Sequence, residues 1–514
     1  MKKPLTCFLS FMMMMMILIV VLLDVLSAGK PSVLAAESSS SFFKNHQYTD
    51  AATPLDTYMA LPDPYYSYTL ASHIDNAAAD VYILNMTSLG YLTPAQSNRP
   101  IWTHTLTLVV PKNLNTQIRR ASLLVNGGDN LQPNIPSADL NDLILISSVT
   151  RTIMADLMQV PNQPIVFAND PLHMKRSEDD ITAFTWRYFM NNTKQDADAY
   201  KWIIQLPMAK SAKYALDTMQ SFTNDLFKVK QGENYIQDFI VMGGSKRGWT
   251  TCKLASTDKR VKVMIPIVIQ ILNMKVVLEH IYNSLCSFPI AMEAYLQQGI
   301  MTRLETPEFA QLASIIDPFV YRDRWANIDK FVVNGLGDIF FWPDIALYSY
   351  PYLPGGDENK RIRYVPNVGH SMAGSDIWET ILTFIYANLY NLKLPVYTFD
   401  HIYNNNGAIV TVRILNQVMP VRVTLWQSTN PKARDFRITE TGKSFTPSPV
   451  QSVTPDDPYT FMVFVPNPPQ GWTAFSVEME FGMIAGSIPL PPIKFTSAGY
   501  ITPTTLPCKY PGSQ

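Results

Sequence analysis

The spacing of apolar residues changes along the chain, and the changes mark its organisation. Residues 79–88, ADVYILNMTS, alternate apolar and polar positions, the period-two pattern of a half-buried strand. Residues 102–111, WTHTLTLVVP, are a β-branched run that stops at a proline. Residues 121–130, ASLLVNGGDN, are a short buried run that enters a Gly-Gly turn. Residues 142–162, DLILISSVTRTIMADLMQVPN, read as a helix leading into a strand within PNQPIVFAND at 161–170. Helical spacing recurs at 178–192, 207–228, 249–257 and 375–390. Further strand-type runs stand at 238–244 (DFIVMGG), 261–269 (VKVMIPIVI), 329–338 (DKFVVNGLGD) and 361–370 (RIRYVPNVGH). Strands and helices thus alternate from about 100 to 390, which predicts an α/β fold with a mainly parallel sheet covered on both faces.

After about residue 395 the pattern shifts. GAIVTVRIL, PVRVTLWQS, PYTFMVFVP and WTAFSVEMEF are short β-type runs separated by Pro, Asn, Asp and Gly, the signature of a small antiparallel β-sandwich. Prolines between 489 and 511 predict a stiff, irregular tail. The chain therefore divides into a leader at 1–35, an N-terminal extension packing on the core at 36–98, the α/β domain at 99–394 and a C-terminal β-rich domain at 395–514.

The leader has the layout of a secretory signal peptide: Lys2 and Lys3, an apolar stretch from Phe8 to Leu23, then small residues around Ala28 and Ala35. The alternative is an uncleaved signal anchor, against which stand the length of the run, near the lower limit for a span, and its interruption at Asp24; cleavage is expected to leave no stable membrane segment and the mature protein outside the cell. Two sequons, beginning at Asn85 and Asn191, fit glycosylation there. With Cys7 in the leader, Cys252, Cys286 and Cys508 allow at most one intramolecular disulfide, whose pairing is open. Hydrophobic residues make up 47% of the chain and charged ones 16%, as in a well-packed globular protein. The formal net charge of −1 gives no field for nucleic acid. The scattered histidines lack metal-binding spacing, and neither a G-x-G-x-x-G turn nor a Walker loop follows any strand, so no metal or cofactor is expected.

The chemistry gathers at strand ends, where open α/β sheets bind ligands. Ser245 follows DFIVMGG, Asp338 follows FVVNGLG and His370 follows RYVPNVG. Their order along the chain is that of α/β-hydrolases. A serine hydroxyl needs an adjacent base to become a nucleophile, and the base needs an acid to fix its tautomer. Gly243, Gly244 and Gly248 leave room for a strained turn, although Arg247 fills the second place after the serine and Gly248 comes one later. Asp344 is a rival acid. An oxyanion hole would draw on the backbone N–H of Lys246 and on the loop after ASLLVN, near Gly128 or Asp129. Trp249, Phe340, Phe341 and Trp342 are candidate pocket walls, with core packing as their default role.

Several longer stretches carry a resemblance: TPLDTYMALPDPYYSY at 53–68, VPNQPIVF at 160–167, GGSKRGWTT at 243–251, DPFVYRDR at 317–324, NGLGDIFFWPD at 334–344, YVPNVGHSM at 364–372 and LWQSTNPKARDFR at 425–437. On these the chain resembles the PhoPQ-activated pathogenicity-related protein family, which includes autocrine proliferation repressor-like secreted proteins. The resemblance implies an α/β-hydrolase core with a C-terminal β-domain and a Ser-Asp-His site, carried here by Ser245, Asp338 and His370. It also implies a glycine run followed by a small polar residue at the oxyanion loop, where this chain has NGGDN. Two functions follow as expectations. One is a secreted serine hydrolase acting on an ester- or peptide-containing substrate. The other is a secreted signalling protein that uses the hydrolase fold as a scaffold for a cell-surface receptor.

Overall fold

The computed structural model describes residues 52–130, 140–486 and 488–512. The expected signal peptide at 1–35, with Cys7, lies outside the described residues. Nine strands build the main sheet among those described: β1 (Ser67–Asp75), β2 (Ala79–Gly90), β3 (Ile101–Pro111), β4 (Arg120–Val125), β5 (Met154–Leu157), β6 (Asp238–Gly244), β7 (Val261–Ile267), β8 (Asp329–Gly335) and β9 (Lys360–Val365). Their order is β1-β2-β3-β5-β4-β6-β7-β8-β9. Neighbours from β1 to β5 pair antiparallel, and every pair from β5 to β9 is parallel. The sheet is the mainly parallel one expected, with an antiparallel edge. The boundary expected at residue 99 falls between two hydrogen-bonded neighbours, since β2 and β3 pair from Ala79–Pro111 to Gly90–Ile101.

Burial explains where the sequence pattern was clear and where it was not. β4, β5 and β8 are buried along nearly their whole length, as strands covered by helices on both faces must be. Such strands lose the period-two signal. The stretch at 142–162 is accordingly not one helix: a helix over Leu140–Thr150 ends at Arg151, whose φ is +55°, and the four buried residues of β5 follow. Residues 161–170 are not a strand either. Pro161 and Pro164 have no N–H to give to a ladder, and the segment makes only isolated bridges, Ser97 with Phe167 and Ile165 with Arg176.

The C-terminal region forms two antiparallel sheets. One holds β10 (Tyr397–Asn404), β11 (Gly407–Ile414), β15 (Asp457–Pro466) and β14 (Ser452–Thr454). The other holds β13 (Thr446–Pro449), β12 (Arg422–Asn430), β16 (Trp472–Ala485) and β17 (Ile488–Thr496), with β18 (Tyr500–Thr502) also on β16. The proline-rich segment from 489 is therefore partly a strand rather than an irregular tail. β17 tolerates its prolines because it lies at the end of its sheet.

These sheets cover the exposed edge of the main sheet, where β9 would otherwise present unpaired backbone groups. The Ile362 N–H donates to Tyr397 Oη at 3.2 Å and the Tyr364 N–H to Thr496 Oγ1 at 2.9 Å. Phe331 of β8 meets Phe495 of β17 edge-on, with ring centres 5.4 Å apart. The disulfide joins Cys286 to Cys508, Cα atoms 5.2 Å apart, and Cys252 is a buried free thiol. Burial pushes the Cys252 thiol up to about 12, which makes it inert. Among the described residues no helix is long and apolar enough to cross a membrane.

Candidate active site

Ser245 sits in the turn between β6 and the helix Lys246–Thr257, with φ +55° and ψ −123°. A non-glycine residue adopts that backbone only at a cost of about 1–3 kcal/mol, so the surroundings must hold it. They do so through backbone. The Ser245 N–H donates to Ile267 O at 2.8 Å, at the end of the neighbouring strand β7. A Cβ on Gly243 would come within 2.7 Å of Arg247 O, and one on Gly248 within 2.7 Å of Ile269 Cγ2 and 2.9 Å of Gly243 O. These two glycines let the helix close onto the strands. Gly244 is different: a Cβ there would meet nothing within 4 Å, so it supplies no needed room. The shift of glycine from the second to the third place after the serine also has a reason. Gly248 makes the close approach, while Arg247 sends its side chain away to Glu178 in two hydrogen bonds of 2.8 and 2.6 Å and to Val160 O at 2.5 Å.

Asp338 and His370 follow β8 and β9. The structure brings both to Ser245. The His370 Nδ1 lies 2.9 Å from Asp338 Oδ2 and 3.1 Å from Oδ1, and Nε2 lies 2.8 Å from Ser245 Oγ. A carboxylate can only accept, so Nδ1 carries the ring proton and Nε2 is left to accept from the serine hydroxyl. The Asp338 side chain is fully buried and that of His370 is 18% exposed. Asp338 is held in turn by its own loop, accepting from the Phe340 N–H at 2.7 Å and the Phe341 N–H at 3.3 Å. Phe340 packs against the imidazole with ring centres 4.6 Å apart.

The rival acid belongs elsewhere. Asp344 is buried with His280, whose Nε2 is 2.9 Å from Oδ1, and with Arg434, whose Nη2 contacts Oδ2. Burial would raise its carboxyl, but Arg434 and His280 hold it well below the usual carboxylate range. A second Ser–His contact, Ser88 Oγ to His104 Nε2 at 2.8 Å, is wholly buried and has no carboxylate on Nδ1, which donates to Met158 O. Burial drives the His104 ring down to about 4, so it stays neutral and structural.

A narrow cavity of about 50 Å³ opens against Ser245 and His370. Trp186, Trp249, Met292, Met301, Phe340 and Phe341 are among its walls. Three of the four aromatics singled out in the sequence thus face it. Trp342 does not, and instead donates its indole N–H to Arg434 O at 2.9 Å. The polar rim was not legible in the sequence. Lys246 Nζ is 2.8 Å from Asp179 Oδ2 and 3.3 Å from Glu178 Oε2, and Tyr295 Oη donates to Asp179 Oδ1 at 2.8 Å. The signal was there as acidic residues opening one helix and Lys-Arg opening another, but their pairing spans 67 residues. A larger hollow of about 660 Å³, lined by Arg119, Phe227 and Tyr235, opens near the amino ends of β4 and β6, away from Ser245.

Lys246 is the first helical residue after Ser245, where backbone N–H groups have no acceptor within the helix. The loop after β4 reaches the same helix, since a Cβ on Gly127 would come 2.8 Å from Arg247 Nη2. Gly128, with φ +117°, and Asp129 stand on the exposed part of that loop and do not line the cavity; the loop continues into residues outside the described ones. Both sequon asparagines are exposed, Asn85 within β2 and Asn191 at the end of the helix Asp179–Asn192, where Arg303 donates to its side chain at 2.7 Å.

The chain is 33% identical over 470 residues to autocrine proliferation repressor protein A of Dictyostelium discoideum, covering 89% of this chain and 92% of that protein. Among solved structures it is similar to an acetyl xylan esterase from Paenibacillus sp. R4, with a TM-score of 0.42 and 15% identity over 68% of this chain and 98% of the other. A glucuronoyl esterase from Solibacter usitatus gives a TM-score of 0.37 and 14% identity over 69% and 92%. The strand order, the strained serine turn and the Ser-Asp-His sequence order are those of an α/β-hydrolase. The profile described as PhoPQ-activated pathogenicity-related protein matches residues 55–437, and the chain belongs to that family.

Proposed function

We propose that the protein is a secreted serine hydrolase that cleaves an ester or peptide bond. One observation carries the reading: the unbroken contact from Asp338 through His370 to Ser245 Oγ, beside an apolar cavity. Ser245 Oγ attacks the carbonyl carbon while His370 Nε2 takes its proton, and Asp338 stabilises the imidazolium. The tetrahedral oxyanion is met by the backbone N–H of Lys246, the first residue of the helix that follows the nucleophile. His370 then protonates the leaving group, and water returns the acyl-enzyme to free serine by the same path. The apolar walls favour a substrate with an uncharged, apolar group beside the scissile bond. Secretion is supported by the Cys286–Cys508 disulfide, because such bonds persist in oxidising compartments. Asn85 and Asn191 are the glycan acceptors of this reading.

Fluorophosphonate labelling of the purified full chain tests it. The wild type should be labelled at Ser245, the Ser245→Ala variant not at all and the His370→Ala variant far more slowly. A folded wild type that takes no label at Ser245 would sink the proposal. A second reading follows from the name of the 33% identical relative, a proliferation repressor. If this chain acts through a receptor by its surface alone, Ser245→Ala keeps its effect on cells; if the effect needs the chemistry, that variant loses it while still secreted and folded.

A further inference from the structure

Asp338 and His370 stand on separate loops, and their neighbours come from far along the chain. Gly337 and Gly369, each one residue before a triad member, both face Ile438. A Cβ on Gly337 would lie 3.1 Å from Ile438 Cβ, and a Cβ on Gly369 would lie 2.9 Å from Ile438 Cγ2. The Ile438 N–H also donates to Gly337 O at 2.9 Å, and Gly337 N–H to Val368 O at 3.1 Å. One isoleucine therefore touches the acid loop and the base loop where they touch each other. The base loop has a second attachment to the same segment. Asn367, in left-handed backbone with φ +58°, gives its amide to Phe445 O at 2.8 Å and accepts the Phe445 N–H at 2.9 Å. The acid loop has one as well, through Arg434 to Asp344 and Trp342.

We propose that the connection between β12 and β13, residues 431–445, is a positioning device for the triad, with Ile438 as the wedge that fixes the spacing of Asp338 and His370. It rests on the serine-hydrolase reading. The role is not catalytic, since Ile438 does not line the cavity and acts only through the two loops. At the junction of the two loops stand Gly337 and Gly369, which have no side chain to set the separation just before the triad members. Ile438 supplies the missing bulk from outside. A displacement of about 1 Å at reacting groups costs on the order of 100-fold in rate.

The test uses the full secreted chain and compares wild type, Ile438→Ala, Ile438→Val and Asn367→Gly. The last removes the amide bonds to Phe445 without straining the left-handed backbone. Two quantities are read well below the melting temperature: the rate of fluorophosphonate labelling at Ser245, and the downfield proton resonance of the His370 Nδ1–Asp338 hydrogen bond, assigned by its loss in His370→Ala. Ile438→Ala and Asn367→Gly should label about 10- to 100-fold more slowly and lose or broaden that resonance, while Ile438→Val restores both. If Ile438→Ala does not fold, Ile438→Val and Asn367→Gly carry the comparison. Folded variants that label at the wild-type rate with an unchanged resonance overturn the positioning role. A wild type that takes no label fails the hydrolase reading instead, and the two failures are thereby distinct.

Discussion

The turn that carries Ser245 and the loops that carry Asp338 and His370 meet within hydrogen-bond distance, but they are held by different means. Ser245 is fixed by its own neighbourhood: the last strand residues before it, two glycines that allow close backbone approach, and the adjoining end of β7. Asp338 and His370, beyond the contacts of their own loops, are also held from about 70 to 100 residues away, by Ile438, Phe445 and Arg434. The nucleophile's strain is thus contained locally, whereas the acid–base pair depends on the C-terminal region being folded and docked. Damage to that region should reach the chemistry without touching the nucleophile.

The largest effect expected on that difference comes from Arg434. Its side chain is 2% exposed and that of Asp344 7%, so Arg434→Ala leaves a buried carboxylate with only His280 beside it. Removing one partner of such a pair costs about 3–5 kcal/mol, and urea unfolding should show it. The double variant Arg434→Met, Asp344→Leu should recover a good part of the loss, because no charge then stays buried alone. Recovery of stability without recovery of labelling at Ser245 would separate the fold's need for this cluster from the triad's need for it.

A smaller effect probes the local side. At Gly243 an added Cβ meets backbone, Arg247 O and C, which cannot swing away, so Gly243→Ala should destabilise by about 1–3 kcal/mol. At Gly244, one residue nearer the nucleophile, Ala should change stability by about 0.5 kcal/mol or less. Thermal melts of the two variants side by side check whether proximity to Ser245 or backbone contact decides. Equal losses would mean that the close approach of Gly243 to Arg247 is not what holds the turn.

The same contrast explains what could be read from the sequence. The turn is legible because its determinants are consecutive: an apolar run, small residues, Ser245 and a helix. Asp338 and His370 are legible as strand-end residues, and their neighbours are not. Nothing local in LWQSTNPKARDFR says that Arg434 is buried on Asp344, because a basic turn of this composition fits a solvated or a structurally paired role equally and names no partner. β5 is hidden for a related reason, since four residues buried on both faces have no periodicity. The rim pairs of Glu178 and Asp179 with Lys246 and Arg247 are likewise set by tertiary approach.

The smallest pH-dependent effect, on the nucleophile's side of the site but reached through a tertiary contact, concerns Glu178. Burial would raise its carboxyl, but Arg247 and then Lys246 bring it down from an ordinary 4.5 to about 2. The native state therefore keeps this carboxylate charged at a pH where the unfolded chain has taken up a proton. Stability from this group is fully present above about 4.5 and is lost as pH falls through about 2. Between pH 5 and 8 it contributes no slope, so neither unfolding nor labelling at Ser245 should owe any pH dependence there to Glu178. Glu178→Gln should lower stability at neutral pH by unpairing Arg247, yet flatten part of the acid limb below 4.5. Asp344, also held down by its cationic neighbours, should supply another part of that limb, and Asp344→Asn would remove it from the acid–base side instead. Urea melts at stepped pH values read the two slopes. Because Glu178 braces the helix that follows Ser245 while Asp344 braces the loop that follows Asp338, acid should loosen both sides of the site through separate carboxylates. A Glu178→Gln protein with the full wild-type acid limb would show that the turn does not depend on this ion pair.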